Sequence, residues 1–418
     1  MNTGLHGDIA WMLTATALVL MMTPGIGFFY GGLVHRKNAY TIVVQSILVM
    51  CLVGTIWPIL AYSLAFGPDM LGGLVGNFDF VGLKEMWNYP GINIPSQLDM
   101  IFQCAFAMVA AALVIGGFAE RLNLSAFCLF IPLWIILVYC PVAHWLWGNH
   151  PGENTFFSLK NKGTLDFAGG MVVHLNAATA AFVAGCVIGP RAGHKHSERP
   201  SGPHLHFCLL GVSLLWFGWL GFNAGSAGAA NEIAATAMVN TIFASAVGGL
   251  AWIAIEYSRL KRITGPGLAA GMVAGLVAST PACGYITPMA SLVIGAIASC
   301  VSYTAMYIIN ERLGCDDSLD VFSVHGISAI WGAIATGLFA TLAVNPEGGN
   351  GLFNGNAAQL LDQLRGIGYV LVWSGGVSFL LLKVLDWTVG LRCSPAHEAL
   401  GLDKVQFGLE TMTSSKDT

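Results

Sequence analysis

Two histidines sit in stretches that otherwise read as pure hydrocarbon. His174 lies in LDFAGGMVVHLNAATAAFVAG (165–185) and His325 in LDVFSVHGISAIWGAIATG (319–337). A neutral imidazole can donate one hydrogen bond and accept another, and it can take up a proton near neutrality. Ionisable groups at membrane depth are costly and usually functional. One such histidine is equally well read as a hydrogen-bonded packing residue. Two of them, each among glycines and alanines that allow close approach, point to a shared function. Asp166 stands eight residues before the first and Asp320 five before the second. Both aspartates sit where an apolar run begins, the place for a carboxylate that caps free helix amides.

A second group of residues could bind a cation. Phe102 and Phe106 in IFQCAFAMVAAALVIGG (101–117) are spaced i, i+4 and share a helix face, as do Phe222 and Ser226 in WFGWLGFNAGSAGAANE (216–232). Trp147 ends another apolar run; taken alone it reads as an interfacial anchor. Together these aromatics and one hydroxyl acceptor make a cup for a small cation, with an attraction of about 0.5–2 kcal/mol per ring.

The elements that must position these groups are membrane helices. Of 418 residues, 55% are apolar and only 10% charged, and the mean hydropathy is +0.69. Apolar runs fall at about 9–34, 40–66, 99–118, 126–147, 166–190, 205–226, 234–257, 266–284, 288–310, 321–344 and 366–391. Most reach the roughly 20 residues that a crossing helix needs. No series of alternating ten-residue segments marks a β-barrel, so helices must satisfy the backbone in lipid. The expectation is an all-α polytopic membrane protein of about eleven transmembrane helices.

Arg36, Lys37, Arg121, Arg191, Lys195, Arg199, Arg259, Lys261, Arg262, Arg312, Arg392, Lys404 and Lys416 fall on one side of that arrangement. Only Lys84, Lys160, Lys162 and Arg365 fall on the other. The first side is therefore expected to be cytoplasmic, with the N-terminus outside and a tail from 393 to 418 inside. Five spans per half, an odd number, make the halves (about 8–190 and 205–344) inverted relative to one another, a 5+5 repeat plus a final helix at about 366–391. This plan suits a transporter with its site near the midplane. With a rise of about 1.5 Å per residue, His174 lies roughly 12 Å below the outer aspartate and His325 roughly 7 Å above the inner one. The two imidazoles approach the middle from opposite sides.

Other classes are disfavoured. A net charge of −4 argues nothing for nucleic acid, and the ten cysteines are scattered in apolar runs with no CxxC spacing. The start, MNTGLHGDIAW, lacks the basic n-region and short apolar core of a secretory signal, so the whole chain is taken as mature. A metalloenzyme built on His174 and His325 lacks a third convergent ligand, so no metal and no cofactor are expected. Membrane lipid is the one partner that composition implies.

Longer motifs carry a resemblance. TPGIGFFYGGLVHRKN (23–38), FAER (118–121), PVAHWLWG (141–148), LDFAGGMVVHLNAA (165–178), WLGFNAGSAGAANEIAA (219–235), TPACGYI (280–286), DDSLDVFSVHG (316–326) and GLD (401–403) together make the chain resemble the ammonium transporter family, which includes the methylammonium permeases and Rhesus proteins. The bacterial branch fits best, from about residue 8 to 403. The resemblance implies eleven spans per protomer, a homotrimer, a pore in each protomer, and the cell membrane as its place. It implies an outer ammonium-recruitment site of Phe102, Phe106, Trp147 and Ser226, supported by the Asp166 carboxylate without contact to the ion. Stacked Phe106 and Phe222 would close the pore beneath, and His174 and His325 would line an apolar conduit.

Such a conduit suits ammonium. A bare cation in an apolar medium costs many kcal/mol, and no carbonyl rings of a potassium filter are visible in the sequence. Ammonium can shed a proton and cross as ammonia, whereas potassium has none to lose. Departures from the family pattern are Phe28, Ser323 where glycine is common, and Trp331; each would narrow the pore. After GLD the tail reads KVQFGLETM in place of a HGE-type motif tied to PII-family regulators, which puts that partner in doubt. Phe28, Ser323 and this tail favour an alternative, an ammonium sensor on the same scaffold with little net flux, in which a signalling domain would follow Thr418.

Overall fold

The computed structural model describes residues 3–84, 94–148, 155–191, 205–312 and 316–409. Lys195, Arg199 and Lys416, and the tail beyond Leu409, lie outside them. The first half contains α1 (Thr3–Gly31), α2 (Ala39–Ile56) continued through a π turn at Trp57–Ala61 into α3 (Tyr62–Phe66), and α4 (Ser96–Phe118). It continues with α5 (Leu124–Trp134), a π turn at Ile135–Tyr139, α6 (Cys140–Trp147), a π turn at Gly170–Leu175 and α7 (Asn176–Ile188). The second contains α8 (Leu205–Gly225), α9 (Glu232–Leu260), α10 (Gly265–Ser279), α11 (Pro288–Tyr307), and a π turn at Phe322–Gly326 leading into α12 (Ile327–Phe339). Helix α13 (Ala357–Thr388) follows, then short α14 (Pro395–Leu400) and α15 (Leu402–Phe407).

Among the described residues ten helical segments are long and apolar enough to cross a membrane, and α10 is a shorter apolar helix. Its fifteen residues rise only about 22 Å. Asn240 completes that crossing by donating to the carbonyls of Cys283 (2.7 Å) and Ile286 (2.8 Å) in the turn that follows. The eleven apolar runs are thus matched by ten long helices and this short one, and the chain is a multi-pass membrane protein. One small addition is a two-residue antiparallel hairpin, β1 (Asp69–Met70) with β2 (Val75–Gly76).

Two boundaries differ from the hydropathy pattern for a common reason. Helix α13 starts at 357, nine residues before its apolar run, with Asn356 capping the amide of Ala358. Its first turns contain Gln359 and Gln363, both buried, which bond to Gly163, Leu165 and Ala333. The π turn that leads into α7, in contrast, starts only at Gly170, four residues after Asp166, and the regular helix at Asn176. Polar residues facing protein lengthen one helix, and a polar cap shortens the other.

Small residues set the packing, since lipid offers helices no hydrophobic gain on associating. A Cβ on Gly117 of α4 would lie 2.1 Å from the Ala181 carbonyl of α7. On Gly211 of α8 it would lie 2.2 Å from the Phe29 amide of α1. These approaches pair α4 with α7 and α8 with α1 around the residues described next.

Candidate functional site

At one end of the bundle the four ring-bearing residues converge. Phe102 and Phe106 on α4 have centroids 4.8 Å apart, and Phe106 stacks on Phe222 of α8 at 4.0 Å with 23° between planes. Trp147, at the end of α6, meets Phe106 edge-on at 5.8 Å and 80°. Ser226 follows one turn after Phe222 and donates its hydroxyl to the Phe222 carbonyl at 2.9 Å, which leaves its oxygen lone pairs for another donor. The phenylalanines are buried, while Trp147 and Ser226 are half-buried at the rim. The arrangement is an aromatic cup with an oxygen acceptor at its edge.

Asp166 builds the wall that holds Trp147. Its carboxylate accepts from the amides of Gly169 (3.2 Å), Met171 (2.8 Å) and Val172 (3.0 Å), the free donors at the start of the π turn. Its backbone carbonyl accepts the Trp147 indole N–H at 2.9 Å. Gly169 has φ +99°, and a Cβ there would stand 3.0 Å from the Trp147 ring. The aspartate is therefore both a cap and a brace.

Below the stacked phenylalanines lie the histidines. His174 and His325 face each other with Nδ1 to Nδ1 at 3.4 Å and rings nearly parallel, 19° apart. One Nδ1 must carry the hydrogen and the other accept it, so the two rings hold different tautomers. His174 also stacks on Trp219 at 5.0 Å and 14°. Trp219 is pinned by its N–H to the Thr280 hydroxyl (2.9 Å), which in turn donates to Leu276 (2.8 Å). His174 Nε2 is buried with no partner. The gap beside the rings is lined by Met22, Ile26, Val109, Leu113, Leu215 and the Tyr30 ring. A buried imidazole nitrogen facing apolar walls can offer a single hydrogen-bonding position to a small polar molecule.

The second aspartate requires a correction. Asp320 does not cap the tenth span; its φ is +55° and its carboxylate accepts from the Asn310 amide. The cap is Asp317, which accepts from the amides of Val321 (2.9 Å), Phe322 (3.0 Å) and Ser323 (3.1 Å) and from the Ser323 hydroxyl (3.2 Å). Asp166 and Asp317 stand four and five residues before their π turns, whereas Asp320 stands two before its own in a left-handed conformation. The signal was present in the spacing, since Asp317 precedes His325 by the same eight residues that separate Asp166 from His174. Trp219 and Tyr30 line the same gap, and no spacing in the sequence marks them out.

None of the three departures lines the histidine gap. Phe28 packs on Phe207 at 6.0 Å, Trp331 donates to the Ile294 carbonyl at 3.0 Å, and Ser323 points at Asp317. The bulk that looked obstructive is spent on contacts between helices.

The remaining motifs fix the opposite end of the bundle. Arg191 bridges Asp316 (Nε–Oδ2 3.0 Å, Nη2–Oδ1 2.9 Å) and Glu120 (2.6 Å), and Glu120 also accepts from the His35 amide and Asn38. Burial alone would raise both carboxyls, but the Arg191 charge and hydrogen bonds outweigh it, holding Asp316 down to about 2 and Glu120 below its ordinary value. The GLD tail is tied here too: Asp403 accepts from the Thr41 amide and hydroxyl, both at 2.7 Å, and so caps α2.

Comparison with known proteins agrees with this layout. Residues 10–412 match the model of the Ammonium Transporter Family. An ammonium transporter of Bacillus subtilis is 40% identical over 405 residues, covering 96% of this chain and 97% of the relative. One from Aquifex aeolicus is 42% identical over 407 residues, covering 96% and 92%. Among solved structures, Saccharomyces cerevisiae Mep2 superposes with a TM-score of 0.88 at 32% identity, over 98% of this chain and 93% of that one. A structure described as a sensor Amt protein gives 0.88 at 27% identity, over 97% and 99%. The extent of these matches and the shared helical architecture place the chain in the ammonium transporter family.

Proposed function

We propose that the chain carries ammonium nitrogen across the membrane through a pore within each protomer. The observation that supports this most is the vertical order of three features: a half-open aromatic cup, a stacked Phe106–Phe222 pair, and two facing imidazoles in apolar walls. Ammonium enters the cup of Phe102, Phe106, Trp147 and Ser226, held by ring faces and by one N–H bond to the serine oxygen. Asp166 keeps Trp147 in place. Carrying full charge past the phenylalanines would cost far more than the cup returns, so the ion gives its proton to solvent water at the half-open rim and crosses as ammonia, meeting His174 and His325 as single donors and acceptors.

In this reading the cup faces outward and the Arg191–Asp316 end faces the cytoplasm, in accord with the positive charge gathered there. The N-terminus is then outside, residues 393–418 form the cytoplasmic tail of one transmembrane domain of residues 1–392, and the cell (inner) membrane is the place of action. Assembly as a homotrimer follows the family; a PII-family regulator has little support in the tail sequence. The likeness to a sensor Amt structure favours one alternative, a receptor that binds ammonium with little flux.

Methylammonium uptake in a strain lacking its own ammonium transporters tests the proposal. Saturable uptake that competes with ammonium is expected, and Trp147→Leu should raise the apparent KM by roughly three- to tenfold, the equivalent of one ring contact. An inserted, folded protein that binds ammonium without uptake would favour the sensor.

A further inference from the structure

His144, in the PVAHWLWG motif, lies in the last turn of α6, three residues before Trp147, and is fully buried. Both its ring nitrogens face oxygen: Nδ1 stands 3.0 Å from the Ala65 carbonyl and Nε2 3.0 Å from Asp69 Oδ1. A carbonyl has no hydrogen to give, so Nδ1 must carry one. The Nε2–Oδ1 contact then holds a single further proton, written as imidazolium with carboxylate or imidazole with carboxylic acid. Ala65 ends the second span and Asp69 begins the hairpin, so one ring joins three elements.

We propose that the Asp69–His144 pair positions Trp147 and thereby sets the affinity of the outer site; this rests on the cup proposed above. The last turn of α6 is clamped to the hairpin on two sides, by His144 to Asp69 and by the Trp145 indole to the Leu74 carbonyl at 3.0 Å. The chain leaves the helix directly over the imidazole, where a Cβ on Gly148 would stand 2.9 Å from Nδ1. Helix α6 is the end of the continuous helical segment Leu124–Trp147, beyond a π turn, and the last turn of a helix takes its exact direction from contacts outside it. The buried pair supplies that direction, and Trp147, next to the end, inherits it. Neither Asp69 nor His144 touches the ion.

The test compares Asp69→Leu, Asp69→Asn and the same changes in a Trp147→Leu background, reading the KM and maximal rate of ammonium-elicited current for protein shown to be inserted. Asp69→Leu removes the carboxylate that faces Nε2 and should raise KM roughly five- to tenfold at an unchanged maximal rate, the scale of one displaced ring. Asp69→Asn should keep affinity, because its amide N–H donates to the Nε2 of a neutral ring whose Nδ1 hydrogen stays on Ala65. In the Trp147→Leu background Asp69→Leu should add nothing. Should Asp69→Leu fail to accumulate, Asp69→Ser, whose hydroxyl falls short of Nε2, carries the same comparisons. The proposal is overturned if Trp147→Leu raises KM while Asp69→Leu does not, if Asp69→Asn loses affinity as fully as Asp69→Leu, or if the penalties add. If Trp147→Leu itself leaves KM unchanged, the cup fails first.

Discussion

The turn that carries His174 and the turn that carries His325 share a backbone plan. Each begins with an aspartate eight residues before its histidine, each has a positive-φ residue three after that aspartate, and each passes through a π turn into a regular helix. Asp166 accepts three amides at the start of one, and Asp317 three at the start of the other. They differ in what the turn presents to its own mouth. Beside Asp166 the chain braces Trp147, and the positive-φ residue is Gly169, with no room for a side chain against the indole. Beside Asp317 the equivalent residue is Asp320, whose carboxylate meets Asn310. The two turns keep the device that aims one histidine at the other, while their surroundings are free to differ, one aromatic and one polar.

The largest effect should come from breaking what the turns have in common. His174→Ala and His325→Ala each leave a buried imidazole nitrogen unpaired, a cost of about 1–3 kcal/mol, and open space for water and ions. Each is expected to lower ammonium transport roughly ten- to hundredfold or to let potassium through, and the double substitution should be little worse than either single one. Additive losses in flux assays would mean that the rings do not act as a unit.

The aspartates separate the shared role from the particular one. Asp166→Ala and Asp317→Ala both strip three buried amides of their acceptor, at about 1–3 kcal/mol for each left unsatisfied, and both should lower the melting temperature. Only Asp166→Ala should also raise the KM for ammonium, since only that turn holds Trp147. Equal effects on KM would remove the distinction between the mouths. A finer version exchanges the positive-φ residues. Gly169→Ala should raise KM, because the left-handed backbone costs an L-residue about 1–2 kcal/mol and the new Cβ presses on the indole. Asp320→Gly should leave transport kinetics nearly unchanged.

Much of this was legible in the sequence where polarity broke an apolar run. His174, His325, Asp166 and the spans themselves stand out because nothing in lipid excuses a charge. The aromatic cup was legible from i, i+4 spacing plus the positions of the run ends. Legibility failed where the deciding fact was a long-range partner. Asp320 looked like the cap because it stands at the start of its apolar run, yet the turn is capped by Asp317, three residues earlier. Phe28 and Trp331 looked like obstructions because sequence gives size but not direction; they fill grooves between helices. Gln359 and Gln363 looked like the outside of a span, and turn out to bond across to the 163–165 segment.

The smallest expected effect concerns the other end of the molecule. Asp316 and Glu120 have folded-state values below their unfolded ones, so their contribution to stability is present above about pH 4 and is lost as pH falls toward about 2, where Asp316 takes up its proton. Arg191→Gln should remove that dependence, so that the fall in melting temperature between those pH values becomes shallower than in the unsubstituted protein. Transport measured near neutrality should change little in comparison with the histidine and aspartate substitutions, because the side-chain bonds of Arg191 go to Asp316 and Glu120 and not to the cup or the imidazoles.

The central claim, that ammonium crosses because it can give up a proton and potassium cannot, is tested most directly in proteoliposomes of the purified protein. Pulses of ammonium and of potassium at equal concentration should give nitrogen flux with the first and no ion flux with the second, and His174→Ala should blur that discrimination. Equal passage of potassium through the unsubstituted protein, or bound ammonium with no flux at all, would contradict the account.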